Sequence, residues 1–396
     1  MGQGKENELW KIRLKNRFSS IKMATGKNYR FYNLPKKYGM QDYREVTETI
    51  IKKYSSCNDL VSIYNWGDPS TPGISDIDIL FVFKDGAAQP LSFFIRSFNF
   101  LDARARYLIR HPFVFIGEES FKNIRYVYPN ADFKLLYGKR IRINPLTAEE
   151  ICHSKISLLN DIIIRHYPRD FLEQNVNRRI NARDVLLRLN SLKYTAGMIA
   201  ELAKNENRQW SQKLNQVYGL RKNWFWNNDF GLLASLTDGA VNISMEIIES
   251  FRLFLVKNNI VKIYSGAGIR YDGIKNKSLF VKDWNKEDAL QQMRELIKSK
   301  KIVYSVLPIE LSAQLAQYSK HQGRISGYIE SKLSADMAFQ LKHKNAVLHR
   351  AEIFNNQAEL AFNLRHSDFA AFFDFGYRNK SGINNWVIGL ADRFRF

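Results

Sequence analysis

Two aspartates stand one residue apart in the segment SIYNWGDPSTPGISDIDILFVFK, which covers residues 62–84. Asp76 and Asp78 directly precede the apolar run ILFVF, which is typical of a buried strand. Because residues i and i+2 of a strand share a face, we expect their carboxylates to lie side by side, with Ile77 turned into the core. Two carboxylates that close repel each other, and a divalent cation such as Mg²⁺ or Mn²⁺ is the usual partner that neutralises them.

A carboxylate pair that holds Mg²⁺ is the arrangement that phosphoryl and nucleotidyl transfer require, because the metal neutralises phosphate oxygens. The preceding turn, WGDPSTPGIS, is rich in small residues that let backbone amides approach a triphosphate closely. Two other interpretations compete. Isolated Asp-x-Asp pairs commonly cap turns or lie on surfaces. Many glycosyltransferases also use such a pair, but there the apolar strand comes before the acids, whereas here it follows them.

The elements that must position this pair alternate between helix and strand. Helical spacing over residues 42–54 is followed by the strand LVSIYNW, by ILFVF, by a helical stretch, and by the strands HPFVFIG and DFKLLYG. This alternation, which continues to about residue 143, predicts a small domain built on a mixed sheet. We predict an α+β fold for the chain as a whole, with a helical bundle after that domain and a further, mostly helical C-terminal region.

Thr147 and Glu150 form a capping-box pattern, which marks the start of a helix and of the predicted bundle. A second helix is predicted to open at Asp170 and to run through VNRRINARDVLLRL, which would place Arg179 and Arg183 on one helical face. Four parts are predicted: an irregular basic arm (1–44), the domain with the aspartate pair (45–146), the helical bundle (147–260), and a hairpin followed by a mostly helical region (261–396).

The chain is strongly basic. Its formal charge is +21, and residues 1–37 hold ten Lys or Arg against two Glu. Such a field attracts polyanions such as nucleic acid or nucleoside triphosphates, although a solvated basic surface is the plain alternative. The sequence has no apolar run long enough for a membrane span and no signal-peptide pattern. With only Cys57 and Cys152, these features predict a protein of the reducing cytoplasm.

The stretch NWGDPSTPGISDIDILFVF resembles the signature of the polymerase-beta-type nucleotidyltransferase superfamily: a strand, a glycine turn, and then Ser-Asp-hydrophobic-Asp-hydrophobic. The resemblance covers residues 45–143. It implies a small mixed sheet with flanking helices, metal binding by Asp76 and Asp78, and transfer of a nucleoside monophosphate. A helical domain directly after the catalytic one is also usual in that superfamily.

The glycine turn departs from the superfamily pattern. Most members carry Gly-Ser there, whereas this chain has Gly67-Asp68, so Ser75 or Ser70 would have to replace the missing serine. The resemblance implies nucleotide contacts for Trp66, Gly67, Asp68 and Ser75.

The third carboxylate, which the superfamily keeps on a later strand, has three candidates in this sequence. Glu118 and Glu119 follow the strand HPFVFIG, and Asp132 precedes the strand that contains FKLLYG. We favour Asp132, because it begins a strand as Asp78 does. For each of the three, an acid that merely belongs to a turn is the competing interpretation.

These observations predict a Mg²⁺-dependent nucleotidyltransferase that moves a nucleoside monophosphate from ATP or another nucleoside triphosphate to a hydroxyl group. No motif indicates whether the acceptor is a small molecule, RNA or a protein. The alternative is a catalytically degenerate module of the same fold that binds nucleotide or RNA. The stretch RKNWFWNND (221–229) suits either a base-stacking surface or the core of a helical bundle.

The C-terminal region is predicted to contain two long amphipathic helices, and each needs a partner to bury its apolar stripe. The stripe of the second helix includes Ile353, Phe354, Ala361 and Phe362. Packing within the chain is one solution, and a homodimer through these helices is the other. Phe372, Phe373 and Phe375 are the residues that would test the dimer.

Overall fold

A computed structural model gives the fold as α+β, with helices and several small sheets. The chain divides into two compact units. The sheet unit comprises Tyr38–Asp161, Leu255–Ile269 and Ile309–Phe396, and the helical unit comprises Met1–Lys37, Ile162–Phe254 and Arg270–Pro308. The predicted four-part division stays a prediction. The structure describes residues 20–22, 28–67, 69–110, 113–204, 208–264, 269–270, 277–281, 283–299, 303–317 and 339–365.

The described strands are short and belong to four sheets. In chain order they are β1 (Ser20–Lys22), β2 (Asn28–Tyr32), β3 (Leu60–Asn65), β4 (Ile79–Phe83), β5 (Val114–Gly117), β6 (Lys134–Gly138), β7 (Arg179–Asn181), β8 (Val261–Ile263), β9 (Ile269–Arg270), β10 (Lys277–Val281), β11 (Val303–Pro308) and β12 (Phe339–Leu341).

Within the described ranges, no helix is both long and apolar enough to cross a membrane. The helices are α1 (Met40–Tyr54), α2 (Phe93–Arg96), α3 (Ala103–Leu108), α4 (Glu118–Lys122), α5 (Ala148–His166), α6 (Arg169–Asn177), α7 (Ala182–Ala203), α8 (Arg208–Asn223), α9 (Phe230–Lys257), α10 (Lys286–Lys298), α11 (Ile309–Gln317) and α12 (Lys344–Asn363).

The sheet unit is built on a four-stranded mixed sheet of order β5-β4-β3-β6, as the sequence predicts. Strand β3 pairs antiparallel with β4 and with β6, and β4 pairs parallel with β5. All five residues of β4 are fully buried, because both of its neighbours are strands and its faces are covered by other elements. This burial explains the continuous apolar run ILFVF that follows the two aspartates.

Helices α1 and α12 complete the core around this sheet. The ring of Tyr54 in α1 lies 4.3 Å from that of Phe81, and Leu360 and Leu364 belong to the same buried cluster. The Gln357 side chain of α12 donates a hydrogen bond of 3.0 Å to the backbone oxygen of Phe115 in β5. The second C-terminal helix is therefore part of the core of its own unit.

A buried ion pair joins α12 to α5 in the same unit. The guanidinium of Arg350, which is fully buried, lies 2.6 Å from a carboxylate oxygen of Asp161. It also donates hydrogen bonds of 2.9 Å to the backbone oxygens of Tyr126 and Val127. Removing one partner of such a pair leaves the other as an uncompensated buried charge, which is strongly destabilising.

The predicted start of α5 is confirmed. Thr147 Oγ1 accepts a hydrogen bond from the Glu150 backbone N–H, and Glu150 accepts one from the backbone N–H of Thr147. The helix ends at His166, two residues before Pro168.

In the helical unit, the segment expected to be an irregular arm contains strand β2, which pairs antiparallel with β1 and parallel with β7. Tyr29 and Phe31 are buried, whereas Asn28 and Arg30 are exposed. This alternation is the pattern of a strand with one covered face. The expectation of an irregular arm is wrong for these residues because the pairing strand, β7, lies about 150 positions along the chain.

The long helix predicted from Asp170 onward is interrupted at Arg178, whose φ of 53° is left-handed. Helix α6 ends at Asn177, just before this residue; strand β7 follows, and α7 begins after it. Arg179 therefore lies in a strand, with its guanidinium 5.1 Å from the Tyr32 ring, while Arg183 is buried in α7. The prediction that both share one helical face is wrong.

His166 lies in a charged cluster of the helical unit, with Asp170 and Arg188. The side chains of His166 and Asp170 are mostly buried. The Nδ1 of His166 is 3.0 Å from a carboxylate oxygen of Asp170, and its Nε2 is 3.4 Å from the guanidinium of Arg188. These contacts suit the neutral ring, which donates to Asp170 through Nδ1 and accepts from Arg188 through Nε2. Burial, followed by the charge of Arg188, lowers the pKa of His166 to about 3.

The hairpin predicted at the start of the part 261–396 is described only in part. Strands β9 and β10 are neighbours in one sheet, and β8 pairs instead with β12. The glycine turns of this segment, like Phe372, Phe373 and Phe375, lie outside the described residues.

Candidate functional site

Three of the candidate acids lie at one end of the mixed sheet, where β3 ends and where β4 and β6 begin. In the register of the sheet, Asn65 at the end of β3 pairs with Ile79 at the start of β4 and with Lys134 at the start of β6. The segment 66–78, which links β3 to β4, is therefore at the same end of the sheet as the loop before β6. The fold places Asp76, Asp78 and Asp132 on segments that meet at this end.

The aspartate pair flanks a buried residue, as the strand periodicity predicts. Ile77 is buried, whereas Asp76 and Asp78 are half-buried. The Ile77 backbone N–H donates a hydrogen bond of 3.0 Å to the Leu108 oxygen at the end of α3. The two side chains are therefore carried by a backbone that is held on both sides, by α3 and by the sheet.

The glycine turn lies directly against the second aspartate. A Cβ atom added to Gly67 would lie 1.9 Å from Oδ2 of Asp78 and 2.9 Å from its Cβ, distances at which no side chain fits. The backbone N–H of Trp66 donates to the backbone oxygen of Asp78 at 3.3 Å, and the Gly67 N–H donates to the Asn65 side chain at 3.2 Å. Glycine is required here by this close approach.

Two tyrosines hold the rest of the turn. The Tyr43 hydroxyl of α1 donates to the backbone oxygen of Ser75 at 2.5 Å and accepts from the Gly73 N–H at 3.1 Å. The Tyr107 hydroxyl of α3 donates to the Gly73 oxygen at 2.7 Å. These hydrogen bonds fix the backbone just before Asp76. The sequence analysis names neither tyrosine, because only the tertiary fold brings their hydroxyl groups to this turn.

The residues expected to contact nucleotide differ in their exposure. Ser75 is buried, whereas Ser70 on the same turn is exposed. Trp66 is half-buried, and its ring packs against that of Tyr128 at 4.5 Å between centroids. Asp68 lies outside the described residues. Of the two serines considered as replacements, Ser70 is the one whose side chain is accessible.

The loop that carries Asp132 is held by an arginine. A guanidinium nitrogen of Arg125 donates to the backbone oxygens of Pro129 at 3.2 Å and Ala131 at 2.5 Å. The same guanidinium lies 5.9 Å from the ring of Phe133, on the other side of Asp132. The Asp132 side chain is exposed. Arg125 is a third positioning residue that the sequence does not reveal, since only the fold brings it to this loop.

Glu118 and Glu119 lie at the opposite end of the sheet from the aspartate pair. They follow β5, which is parallel to β4, so they lie beyond the strand end that pairs with Phe83. The Glu119 carboxylate is 2.8 Å from the Lys122 ammonium, and its backbone N–H donates to Asp85. Of the three candidate acids, Asp132 alone is at the end of the sheet where Asp76 and Asp78 lie.

Within the described part of the chain, no three His, Cys, Asp or Glu side chains are grouped closely enough to hold a metal ion. At this end of the sheet the structure places the half-buried side chains of Asp76 and Asp78, the two carboxylates that the sequence predicts as metal ligands. This set suits Mg²⁺, which commonly takes one or two protein carboxylates and completes its coordination with substrate phosphates and water.

No protein-family model matches this sequence, and comparison with curated proteins finds no match either. Among solved structures, the chain is similar to spectinomycin adenyltransferase AAD(9) from Enterococcus faecialis, solved with ATP and spectinomycin. The sequence identity is 11%, the match covers 52% of this chain and 99% of that chain, and the TM-score is 0.28. A similarity this low does not establish a common fold, so the function has to be argued from the site itself.

Proposed function

We propose that this protein is a Mg²⁺-dependent nucleotidyltransferase that moves a nucleoside monophosphate from a nucleoside triphosphate to a hydroxyl group of an acceptor. The observation that carries the proposal is the contact between the glycine turn and Asp78. In this contact the backbone of Gly67, which carries no side chain, lies against the Asp78 side chain, and Asp76 is two residues away. A triphosphate needs both: amides that approach its oxygens, and a charge-neutralising metal site next to them.

Asp76 and Asp78 would hold the metal, which when bound supplies positive charge to the phosphate oxygens. The turn from Gly67 to Ser70 contacts the triphosphate through its backbone and through the accessible serine. Tyr43 and Tyr107 hold the backbone of Gly73 and Ser75, just before Asp76, so that little ordering of this part of the turn is left for the moment of reaction.

In the proposed reaction, the acceptor oxygen forms a bond to the α-phosphorus while the bond from that phosphorus to the bridging oxygen of the β-phosphate breaks. Pyrophosphate leaves with the electrons of the broken bond. We assign the acceptor proton to the Asp132 carboxylate, which is the candidate third acid at this end of the sheet and is exposed. Arg125 acts on this step only by holding the loop.

The test is transfer of label from an α-labelled nucleoside triphosphate to molecules of a cell extract, compared between the parent protein and Asp78→Asn. The expected loss is about 10³-fold, which corresponds to about 4 kcal/mol of transition-state stabilisation. Asp59→Asn is the matched control, since Asp59 is a half-buried aspartate at the opposite end of the same sheet, paired with Lys84 at 3.5 Å. Near-parental transfer by Asp78→Asn would contradict the proposal.

A second candidate is a module of the same kind that binds nucleotide without transferring it. The exposure of Asp132 and the lack of a three-acid cluster within the described residues favour this candidate. Calorimetry with nucleoside triphosphate separates the outcomes: Mg²⁺-dependent binding with no transfer supports the module, whereas binding that ignores Mg²⁺ and weakens steeply with salt indicates a simple polyanion binder.

The acceptor, a cytoplasmic location and a homodimer through the C-terminal helices remain predictions. For the homodimer, Ile353, Phe354 and Ala361 are buried within the sheet unit. Phe362, about half exposed at 48%, is the described residue of that stripe that remains accessible.

A further inference from the structure

Two large aromatic rings of the helical unit are exposed, and each lies beside lysine ammonium groups. Tyr218 of α8 is 58% exposed, and Trp226, in the turn after α8, is 89% exposed. The ammonium groups of Lys193 and Lys222 lie 5.8 Å and 6.0 Å from the centre of the Tyr218 ring, and that of Lys37 lies 5.8 Å from the Trp226 ring. We call these five residues the ring–lysine strip.

The strip is a consequence of helix periodicity and of helix packing. Tyr218 and Lys222 are four residues apart on α8, so they are neighbours on its surface. Lys193 reaches the same ring from α7, which packs against α8. The turn continues to Trp226, whose backbone N–H donates to the Asn223 oxygen at 3.0 Å.

The two tryptophans of RKNWFWNND have different environments. Trp224 is buried, with its ring 5.5 Å from that of Phe230, and it serves the core of the bundle. Trp226 is directed to solvent at the end of the same helix. Trp224 therefore follows the core interpretation of this stretch, and of the two tryptophans only Trp226 has an exposed ring on which a base could stack.

The chemistry of the strip matches a single-stranded nucleic acid. Exposed rings stack on bases, and lysines contact the phosphates between them. Among the described residues, none of the three lysines of the strip forms an ion pair with a carboxylate, so their charge is not neutralised from within. Lys37 also closes a basic stretch of the sequence, since residues 1–37 hold ten Lys or Arg against two Glu.

We propose that the ring–lysine strip binds single-stranded nucleic acid by base stacking on Tyr218 and Trp226. The proposal concerns residues of the helical unit alone, and it does not depend on the proposed transfer reaction. A duplex is a poorer ligand for the strip, because its base faces are already stacked on one another.

The experiment measures fluorescence anisotropy of a short labelled oligouridylate, of the corresponding oligothymidylate, and of a duplex of the same length. The protein is the whole 396-residue chain, and neither nucleotide nor Mg²⁺ is added. Both single strands are expected to bind more tightly than the duplex. Trp226→Ala should weaken single-strand binding about tenfold, which is about 1.4 kcal/mol and within the range for base stacking. Replacing Lys37, Lys193 and Lys222 by Gln should make the fall of log K for association with log salt less steep, by about 2 in the slope.

Tyr194→Ala is the matched control, since Tyr194 is 64% exposed on α7 and has no cation over its ring among the described residues. It should bind as the parent does. Equal affinity for duplex and single strands, or Trp226→Ala and Tyr218→Ala variants that bind as tightly as Tyr194→Ala, would overturn the proposal. The proposal would also be overturned if the parent protein bound neither single strand at low salt.

Discussion

Substituting Gly67 by Ala tests whether the glycine turn and Asp78 work as one site. The added methyl group would lie 1.9 Å from Oδ2 of Asp78, 2.7 Å from Cγ and 2.9 Å from Cβ. Rotating the Asp78 side chain moves its oxygens but leaves its Cβ in place. The backbone of the turn or of the aspartate must therefore move as well.

The size of this movement sets the expected effect. Carbon atoms in contact are separated by about 3.5 Å or more, so the two backbones must part by roughly 0.5 Å and the carboxylate oxygen must move further. Displacements of about 1 Å in a catalytic site commonly reduce rates about 10²-fold, or about 2.7 kcal/mol. We expect a loss of that order for Gly67→Ala, together with a cost in folding stability of about 1–3 kcal/mol from overpacking.

The assay measures the initial rate of label transfer from an α-labelled triphosphate, and thermal unfolding is measured on the same preparation. Gly197→Ala is the control, because this glycine lies inside α7 with nothing within 4 Å of an added Cβ. It should leave transfer unchanged and raise helix stability by up to about 1 kcal/mol. A Gly67→Ala protein that transfers label at the parental rate would refute the idea that the turn and Asp78 form one site.

Three further predictions concern the fold. Arg350→Met should reduce the free energy of unfolding by about 3–5 kcal/mol in urea titrations, because it leaves Asp161 buried without its counter-charge; an effect below about 1 kcal/mol would contradict this. His166 has a lower pKa in the folded state than its unfolded value of about 6.5, so the stability it contributes is complete above that pH and is lost as pH falls towards 3. Between pH 7 and pH 5 this loss is about 2 kcal/mol, and His166→Gln should remove it; an equal loss in the variant would exclude His166 as its source. Truncation after Ser305 should unfold the sheet unit, as seen by circular dichroism, because it removes α12 from the core; a truncated protein with native-like melting would show that α12 is dispensable.

Local patterns predicted the elements around the aspartate pair well. The helical spacing at 42–54 corresponds to α1, the run ILFVF is β4, and the capping box at Thr147 begins α5. In each case the determining interactions lie within a few residues of one another, so the sequence itself displays them. The same patterns failed at β2 and at Arg178, where a partner strand distant in sequence decides the backbone.

The candidate site shows the same division. The sequence names Asp76, Asp78 and a glycine turn, but it leaves three candidates for the third acid. Glu119 lies at the opposite end of the sheet from the aspartates because β4 and β5 are parallel, and no local pattern predicts that pairing. Tyr43 likewise reaches the turn only through the tertiary fold, with its hydroxyl at 2.5 Å from the oxygen of Ser75.

The most direct test of the proposed reaction is the position of the transferred label. The protein is incubated with Mg²⁺, a cell extract, and ATP or another nucleoside triphosphate that is labelled in parallel reactions at the α- or the γ-phosphate. Nucleotidyl transfer requires that the acceptor gains the α-label and not the γ-label, that pyrophosphate is released, and that Asp78→Asn abolishes the gain. Transfer of the γ-label, or α-label transfer that Asp78→Asn leaves intact, would contradict the assignment of this site.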